Sequence, residues 1–308
     1  MHSDSASKHS AAVLPIISLL ITATLWGISW YPLRIADSFG MSGLWTTLLV
    51  YSSALIIGAI LFWRRFAEFR QRPLLLALIA LSNGWLNVAF VLAVIDGQVV
   101  RIILLFYLSP LWTTLLGWLV LKERLTTWSI ATLVVAMIGA MIMLWDPALG
   151  FPWPQHYTDW LGITAGIAFS ISNVTVRKLH DISLRVKTVS AWLGVTVVAI
   201  AWIIAADATV PDVDVPVWGW TFVIGTAMVI VMTFTVQYGV THMPVYRSAI
   251  ILLFELIAAA VSAQWLSDEV ITGGEWIGGG LIMLAGYLSA RAMMKQPIAE
   301  NVAPTIGQ

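Results

Sequence analysis

The feature that most constrains this fold is a series of long apolar runs, each about as long as a membrane-crossing helix. Such a helix needs roughly 20 apolar residues. Because hydrocarbon offers the backbone no hydrogen-bond partner, and the runs lack the alternation of a barrel strand, each run is predicted to be a helix. The chain is therefore predicted to be an all-α polytopic membrane protein with ten transmembrane helices, at 12–33, 42–63, 73–95, 99–121, 127–145, 159–176, 186–206, 216–240, 245–267 and 274–290.

Composition agrees with this class and excludes several functions. Of the 308 residues, 59% are apolar and 10% are charged, against about 25% charged in a soluble domain. The chain has no cysteine, which excludes disulfides, thiol catalysis and thiolate metal sites. It contains no phosphate-binding Walker loop, no histidine spacing typical of a metal site and no Ser-His-Asp grouping at one face. We therefore expect no cofactor, no metal, no nucleic-acid partner and no enzymatic activity.

Lysine and arginine predict the orientation. With the N-terminus inside, the inner loops hold nearly all the basic residues, and the termini are cytoplasmic by the positive-inside rule. We call this side the basic face and the opposite side, where most loop carboxylates fall, the acidic face. Residues 1–11 are predicted to be a disordered N-terminus and 294–308 a cytoplasmic tail. The basic residues of the inner loops are Arg64, Arg65, Arg70, Arg72, Lys122, Arg124, Arg177, Lys178, Arg185 and Lys187.

The sequence repeats itself at an offset of 146 positions. Arg247 falls on Arg101 and Glu269 on Glu123, and a second match at an offset of 143 places Arg177 on Arg34. Each half holds five runs, an odd number, so the second half is predicted to be inverted. The halves are 12–145 and 159–293, separated by an extracytoplasmic linker at 146–158. Inverted repeats build many secondary transporters, with the substrate site near the midplane between them.

The arrangement resembles the EamA-type members of the drug/metabolite transporter superfamily. The resemblance covers nearly the whole chain and rests on the five-plus-five helices, the acidic corners before helices five and ten, and Pro110. The opening Leu25-Trp26-Gly27-Ile28-Ser29-Trp30 is most similar to the YddG-type aromatic amino acid exporters. The resemblance implies a basket of helices around a central cavity, gates at the third-to-fourth and eighth-to-ninth hairpins, and export of amino acids. The departure is Leu256, which aligns with Pro110 where the family commonly has a proline.

Polar residues inside the predicted helices are the first candidates for the site, because they are costly in a membrane. Asn83 and Asn87 share a helix face with Trp85 between them, and Thr233, Gln237 and Tyr238 occupy the corresponding helix of the second half. They either form a hydrogen-bonding wall for a substrate or join helices to one another.

Aromatic residues deep in the runs are the second group. Trp26 and Trp112, together with Tyr107, either line an apolar pocket or pack as bulk. Asn173 adds a further polar group in the sixth helix. Most other tryptophans lie near helix ends, where the aromatic belt accounts for them.

Glu255 is the only carboxylate in the middle of a predicted helix. It either couples transport to protons, binds a substrate ammonium group, stays neutral, or pairs with an arginine. Gating is assigned to Pro110 and to Arg101 and Arg247, which each open a helix after a short hairpin. Both arginines also suit simple snorkelling to the interface. Close glycines at Gly274 and Gly278 predict tight helix packing, within one chain or between two.

Together these patterns favour a secondary exporter in a bacterial inner membrane, embedded in lipid and acting on small molecules. The favoured substrates are amino acids with aromatic or hydrophobic side chains. The alternative is an exporter of amphiphilic drugs or cations. A membrane-embedded enzyme or lipid flippase is disfavoured, because catalytic residues do not cluster at one interface. A homo-oligomer stays open.

Overall fold

The computed structural model describes residues 2–97, 99–145, 153–266 and 271–295, and the regular elements within these residues are helical. The first half contains α1 His2–Ile28, α2 Trp30–Ser38, α3 Gly43–Phe62, α4 Pro73–Asp96, α5 Val99–Phe106, α6 Ser109–Leu121 and α7 Thr127–Leu144. The second half contains α8 Tyr157–Lys178, α9 Leu184–Ala205, α10 Val215–Trp220, α11 Thr226–His242, α12 Val245–Leu252, α13 Phe254–Leu266 and α14 Gly273–Lys295. A 3-10 segment, Trp63–Arg70, follows α3, and a π turn, Thr221–Gly225, joins α10 to α11.

Eight helical segments of the described chain are long and apolar enough to cross a membrane. They are Val13–Ser38, Gly43–Arg70, Pro73–Ala93, Arg101–Leu121, Thr127–Leu144, Leu184–Ala205, Val215–His242 and Val245–Leu266. The multi-pass class is thus confirmed. The predicted sixth and tenth spans correspond to α8 and α14, which have 22 and 23 residues but a more polar or glycine-rich composition. The count of ten therefore stays a prediction.

Two predicted spans, the fourth and the ninth, are each built from two helices that meet at a break. The α5–α6 break lies at Tyr107 and Leu108, just before Pro110, whose nitrogen has no hydrogen to donate to the preceding turn. The α12–α13 break lies at Leu253, the position 146 residues after Tyr107, and it forms without a proline. There the amide of Leu256 donates to the carbonyl of Leu253 at 3.1 Å, a tightened turn. The breaks therefore recur at matching positions despite the different sequences.

Helices that correspond between the two halves pack in corresponding pairs. Helix α4 packs against α8, and its counterpart α11 packs against α1; likewise α6 packs against α8 and α13 against α1. Helices α7 and α14 pack against each other, as do α3 and α9. A twofold relation between the halves requires this pattern of pairs, which encloses a space between α1, α4, α8 and α11.

The small residues of α14 pack within the chain. A Cβ atom on Gly278 would lie 2.4 Å from the carbonyl oxygen of Gly139 in α7, closer than real Cβ contacts allow. Glycine at this position therefore lets the two helix backbones touch. Of the two interpretations of Gly274 and Gly278, the structure shows contact inside one chain for Gly278.

Three segments differ from the sequence prediction. Helix α1 extends back to His2, through the segment 1–11 that was predicted to be disordered, because each residue added to an existing helix needs no new nucleus. Arg177 lies within α8, and Lys187 lies within α9 and is fully buried, so neither is a loop residue. Residues 146–152 of the linker and 296–308 of the tail lie outside the described residues.

Candidate functional site

A central cavity of about 350 Å³ lies between the two halves. It reaches from Pro32 and Ala36 in α2 to Val176 in α8 and Gln237 in α11. Its walls are mainly aromatic and aliphatic, as in most small-molecule sites. The aromatic side chains that line it are Trp26, Tyr51, Phe90, Phe106, Tyr107, Phe169, Trp192 and Trp220.

The two asparagines of α4 face this cavity and also join helices. The side-chain amide of Asn83 donates to the Ser172 hydroxyl of α8 at 2.7 Å, and the Asn87 amide donates to the Asn83 carbonyl at 3.0 Å. The Tyr51 hydroxyl of α3 donates to the Asn87 side-chain oxygen at 3.0 Å. Both interpretations of these residues therefore hold geometrically, since the network that ties α3, α4 and α8 together also forms one cavity wall.

The opposite wall comes from α11. Thr233 lines the cavity and accepts a hydrogen bond from the Trp192 indole nitrogen at 3.1 Å. Gln237 is also a lining residue, and its side-chain oxygen is buried without a partner among the described residues. A buried acceptor without a partner is costly, so it is a candidate contact for a donor group on a ligand.

Glu255 stands at the start of α13, two residues after the break at Leu253, and lines the cavity. The Tyr107 hydroxyl, which lies at the matching break of the first half, forms a hydrogen bond with its carboxyl group. No ion pair reaches Glu255 in the described part of the chain, and Arg247, earlier in the same predicted span, donates to the Tyr246 hydroxyl at 3.0 Å. The two helix breaks thus bring a carboxyl and a phenol together beside the cavity.

Glu255 is the only charged residue among the described residues that line the cavity. The described residues also contain no cluster of three or more histidine, aspartate or glutamate side chains. The cavity therefore offers a substrate aromatic faces, amides, hydroxyls and one carboxyl group.

The structure brings most of the predicted site residues to this cavity. Trp26, Asn83, Asn87, Tyr107, Pro110, Asn173, Thr233, Gln237 and Glu255 line it.

Three of the predicted substrate-binding residues lie outside the lining of the cavity. Trp85 is 36% exposed, because a residue two positions from both Asn83 and Asn87 projects from the other side of their helix. Tyr238 stacks on His242 at 4.2 Å, and Trp112 lies elsewhere in α6.

Several lining aromatics were missed by the sequence analysis. Phe169 precedes Asn173 by four residues, so it shares the face of a residue already singled out. Phe106 adjoins Tyr107, and Tyr51 is a lone phenol within the second predicted helix. Trp192 carried no such signal, because a tryptophan suits lipid, the protein interior and a cavity wall alike, so the sequence does not show which of them its side chain faces.

Arg101 is paired rather than snorkelling. Its guanidinium group meets the Asp159 carboxylate at 3.1 Å, and the two side chains are 7% and 1% exposed. It also donates to the carbonyl of Trp153. Asp159 accepts further bonds from the amides of Gln155 and His156. This cluster fastens α5 to the start of α8.

On the basic face, Arg247 is buried near Glu123 in the loop between α6 and α7. Burial raises the pKa of the Glu123 carboxyl above its ordinary value, while the Val245 amide and the charges of Arg177 and Arg247 act in the opposite direction.

Comparison with known proteins shows what this chain is similar to. Residues 13–145 match the EamA-like transporter family. Matching residues of this chain are 23% identical to an uncharacterized transporter of Pseudomonas aeruginosa over 60% of this chain and 61% of that protein. They are 24% identical to an uncharacterized transporter of Archaeoglobus fulgidus over 69% of this chain and 74% of that protein. The match thus spans less than two thirds of the Pseudomonas relative.

A solved crystal structure aligns with a TM-score of 0.74 and 17% identity, covering 92% of this chain and 97% of that one. At this identity the likeness shows the fold alone. The family match thus covers residues 13–145, less than half of the chain, and the solved structure shows that the shared fold extends over 92% of it, while the likeness to aromatic amino acid exporters stays a prediction.

Proposed function

We propose that this protein is a secondary exporter that moves small molecules with an amino group and an apolar body through the central cavity by alternating access. The first candidates are amino acids with aromatic or hydrophobic side chains. In this proposal the halves are inverted repeats, all ten spans cross a bacterial inner membrane, and both termini are cytoplasmic.

The observation that carries the proposal is the cavity itself, which both halves line with aromatic side chains around one carboxyl group. Aromatic faces suit the apolar body of a substrate through stacking, and they also attract a cation. Glu255 supplies a charge opposite to that of an ammonium group, and the unpartnered oxygen of Gln237 is a second acceptor.

The second candidate is an amphiphilic cation without a carboxylate. It is favoured by the absence of lysine, arginine or histidine among the described lining residues. An amino acid carboxylate in this cavity meets only neutral donors such as the amide of Asn173. The two candidates therefore differ in one functional group of the substrate.

Counterflow into proteoliposomes containing the purified protein separates the candidates. Three labelled compounds share one aromatic ring: phenylalanine with both charged groups, phenethylamine with the amine alone, and 3-phenylpropionate with the carboxylate alone. Uptake of phenylalanine above protein-free liposomes supports the first candidate, and saturable uptake of phenethylamine alone supports the second. Transport of 3-phenylpropionate alone contradicts the amino-group requirement, and no protein-dependent movement of any of the three overturns the proposal.

A further inference from the structure

The loop between α6 and α7 places the carboxylate of Glu123 against the second half. Helix α6 ends at Leu121, and the φ of 55° at the next residue, Lys122, lies in the left-handed region that reverses the chain. The amide of Glu123 then donates to the carbonyl of Gly117 at 3.2 Å. A Cβ atom on Gly117 would lie 2.5 Å from the Val245 side chain, so glycine is what lets α12 approach here.

The Glu123 carboxylate contacts the second half. Both of its oxygens accept a bond from the amide of Val245, the first residue of α12, at 3.1 and 3.2 Å. The Arg177 guanidinium at the end of α8 lies 3.9 Å away and also donates to the carbonyl of Thr241 in α11. Glu123 is 13% exposed. The Glu123 carboxylate of the first half therefore contacts α12 and α8 of the second half directly and reaches α11 through Arg177.

These contacts lie next to the end of the cavity that points towards the basic face, which we call its lower end. Val176, Gln237 and Ala249 line this lower end. Arg177 follows Val176 in the chain, and Thr241 and Val245 are each one helical turn from Gln237 and Ala249. The same level holds an apolar cluster that includes Leu19, Val174, Val240, Met243 and Val245. The cavity is thus closed towards the basic face by this cluster and by the Glu123 contacts.

The acidic face carries a different contact between the halves, and Glu269, which corresponds to Glu123, lies outside the described residues. Arg101, which corresponds to Arg247, is held by Asp159 instead. Arg34, which corresponds to Arg177, is exposed. Different residues therefore join the halves at the two faces: Glu123 of the first half meets Val245 and Arg177 at the basic face, and Asp159 of the second half meets Arg101 at the acidic face.

We propose that Glu123 is a latch that holds the cavity closed towards the basic face, and that release of its contacts with Val245 and Arg177 is required to open the cavity there. The proposal rests on the alternating access of the proposed function. A second basic-face contact, between Glu68 and the amide of Ser183 at 2.9 Å, also joins the halves, but none of its residues adjoins the cavity lining. It supplies a matched control.

The test uses the absence of cysteine in the natural chain. A single reporter, Ala249→Cys, is placed at the lower end of the cavity, and its labelling by a membrane-impermeant maleimide applied at the basic face is timed in membrane vesicles. Glu123→Ala removes the acceptor and leaves the Val245 amide and the Arg177 cation buried without it. We expect labelling to accelerate about tenfold, the population shift that follows loss of a charge-assisted contact.

Glu123→Gln keeps one acceptor oxygen and lacks the charge, so it resembles the protonated carboxyl and is expected to label no faster than the wild type. Glu68→Ala is expected to label at the wild-type rate. The latch is overturned if Glu123→Ala labels like the wild type, or if Glu68→Ala accelerates labelling equally. Should Glu123→Ala fail to give a monodisperse protein, Glu123→Ser, whose side chain is too short to reach the Val245 amide, is compared with Glu68→Ser in the same way. Labelling needs no substrate, so a failed transport assay would leave this result readable.

Discussion

At the scale of single residues, Glu255 has surroundings unlike those of the other carboxylates. It lies in an aromatic cavity and bonds to Tyr107, whereas Glu275 near the acidic face is partly exposed and bonds to Thr272 at 2.8 Å. A carboxyl group in a membrane bundle is expensive unless it serves a ligand or proton. The sequence marked this residue correctly as unusual, but its partner Tyr107 became visible only when two helix breaks met in space.

Glu255→Gln is expected to reduce counterflow of amine-bearing substrates about tenfold or more, because the ammonium group loses a charge-assisted bond. The measurement is the initial rate in proteoliposomes at saturating internal substrate. Glu275→Gln is the control, since it removes a carboxylate outside the cavity, and it should transport normally. Unchanged rates for Glu255→Gln would show that this carboxyl group does not contact the substrate.

The ion pair of Arg101 with Asp159 is expected to stabilise the folded protein. Replacing the arginine in Arg101→Met leaves the buried Asp159 charge without its partner, which costs about 3 kcal/mol. The exposed pair Arg72 and Asp181, at 3.7 Å, is the control; Arg72→Met should cost less than about 1 kcal/mol. Thermal unfolding in detergent reports both, and an equal loss of apparent Tm in the two variants would refute the role given to Arg101.

At the scale of elements, the helix breaks show how packing replaces a sequence signal. Pro110 explains the α5–α6 break locally, but the α12–α13 break forms at the corresponding position with Leu256 in place of proline. A break that needs no proline is specified by the helices around it. The presence of Leu256 where the family commonly has a proline therefore does not remove the helix break.

Pro110→Ala is accordingly expected to keep the break between α5 and α6. The change restores a backbone amide and adds freedom to the unfolded chain, so stability should shift by no more than about 1 kcal/mol. Counterflow should stay within about twofold of the wild type if the neighbouring helices, rather than the proline, determine the break. Loss of transport with unchanged apparent Tm would assign Pro110 a direct part in the motion.

At the scale of the whole molecule, the proposed closure of the cavity towards the basic face depends on a titratable group. The pKa of Glu123 is raised by burial in this conformation. Opening would hydrate the carboxyl and return its pKa towards the ordinary value. The closed state then binds the proton more tightly, so closure is favoured as pH falls and weakens as pH rises.

Labelling of Ala249→Cys from the basic face is therefore expected to slow as the pH at that face is lowered towards about 5, above the ordinary glutamate pKa of about 4.3. Rates are corrected for the pH dependence of maleimide chemistry with a free thiol. In the Glu123→Gln background the corrected rate should be flat. A wild-type rate that rises on acidification would contradict the sign derived from Glu123.

The sequence by itself determined that this chain crosses a membrane as helices, and it located the helix limits within a few residues, because hydrocarbon leaves the backbone no other hydrogen-bond partner. It also marked Asn83, Asn87 and Glu255, since polar groups are conspicuous in apolar runs. Only the tertiary structure decided which side of each helix faces the cavity, and so showed that Trp192 lines the cavity and Trp85 does not. Lipid and protein interior are equally apolar, so such helices are apolar all round and their sequence does not record direction. The contacts of Glu123 were hidden as well, because its partners Arg177 and Val245 are distant in the chain and leave no local sequence pattern.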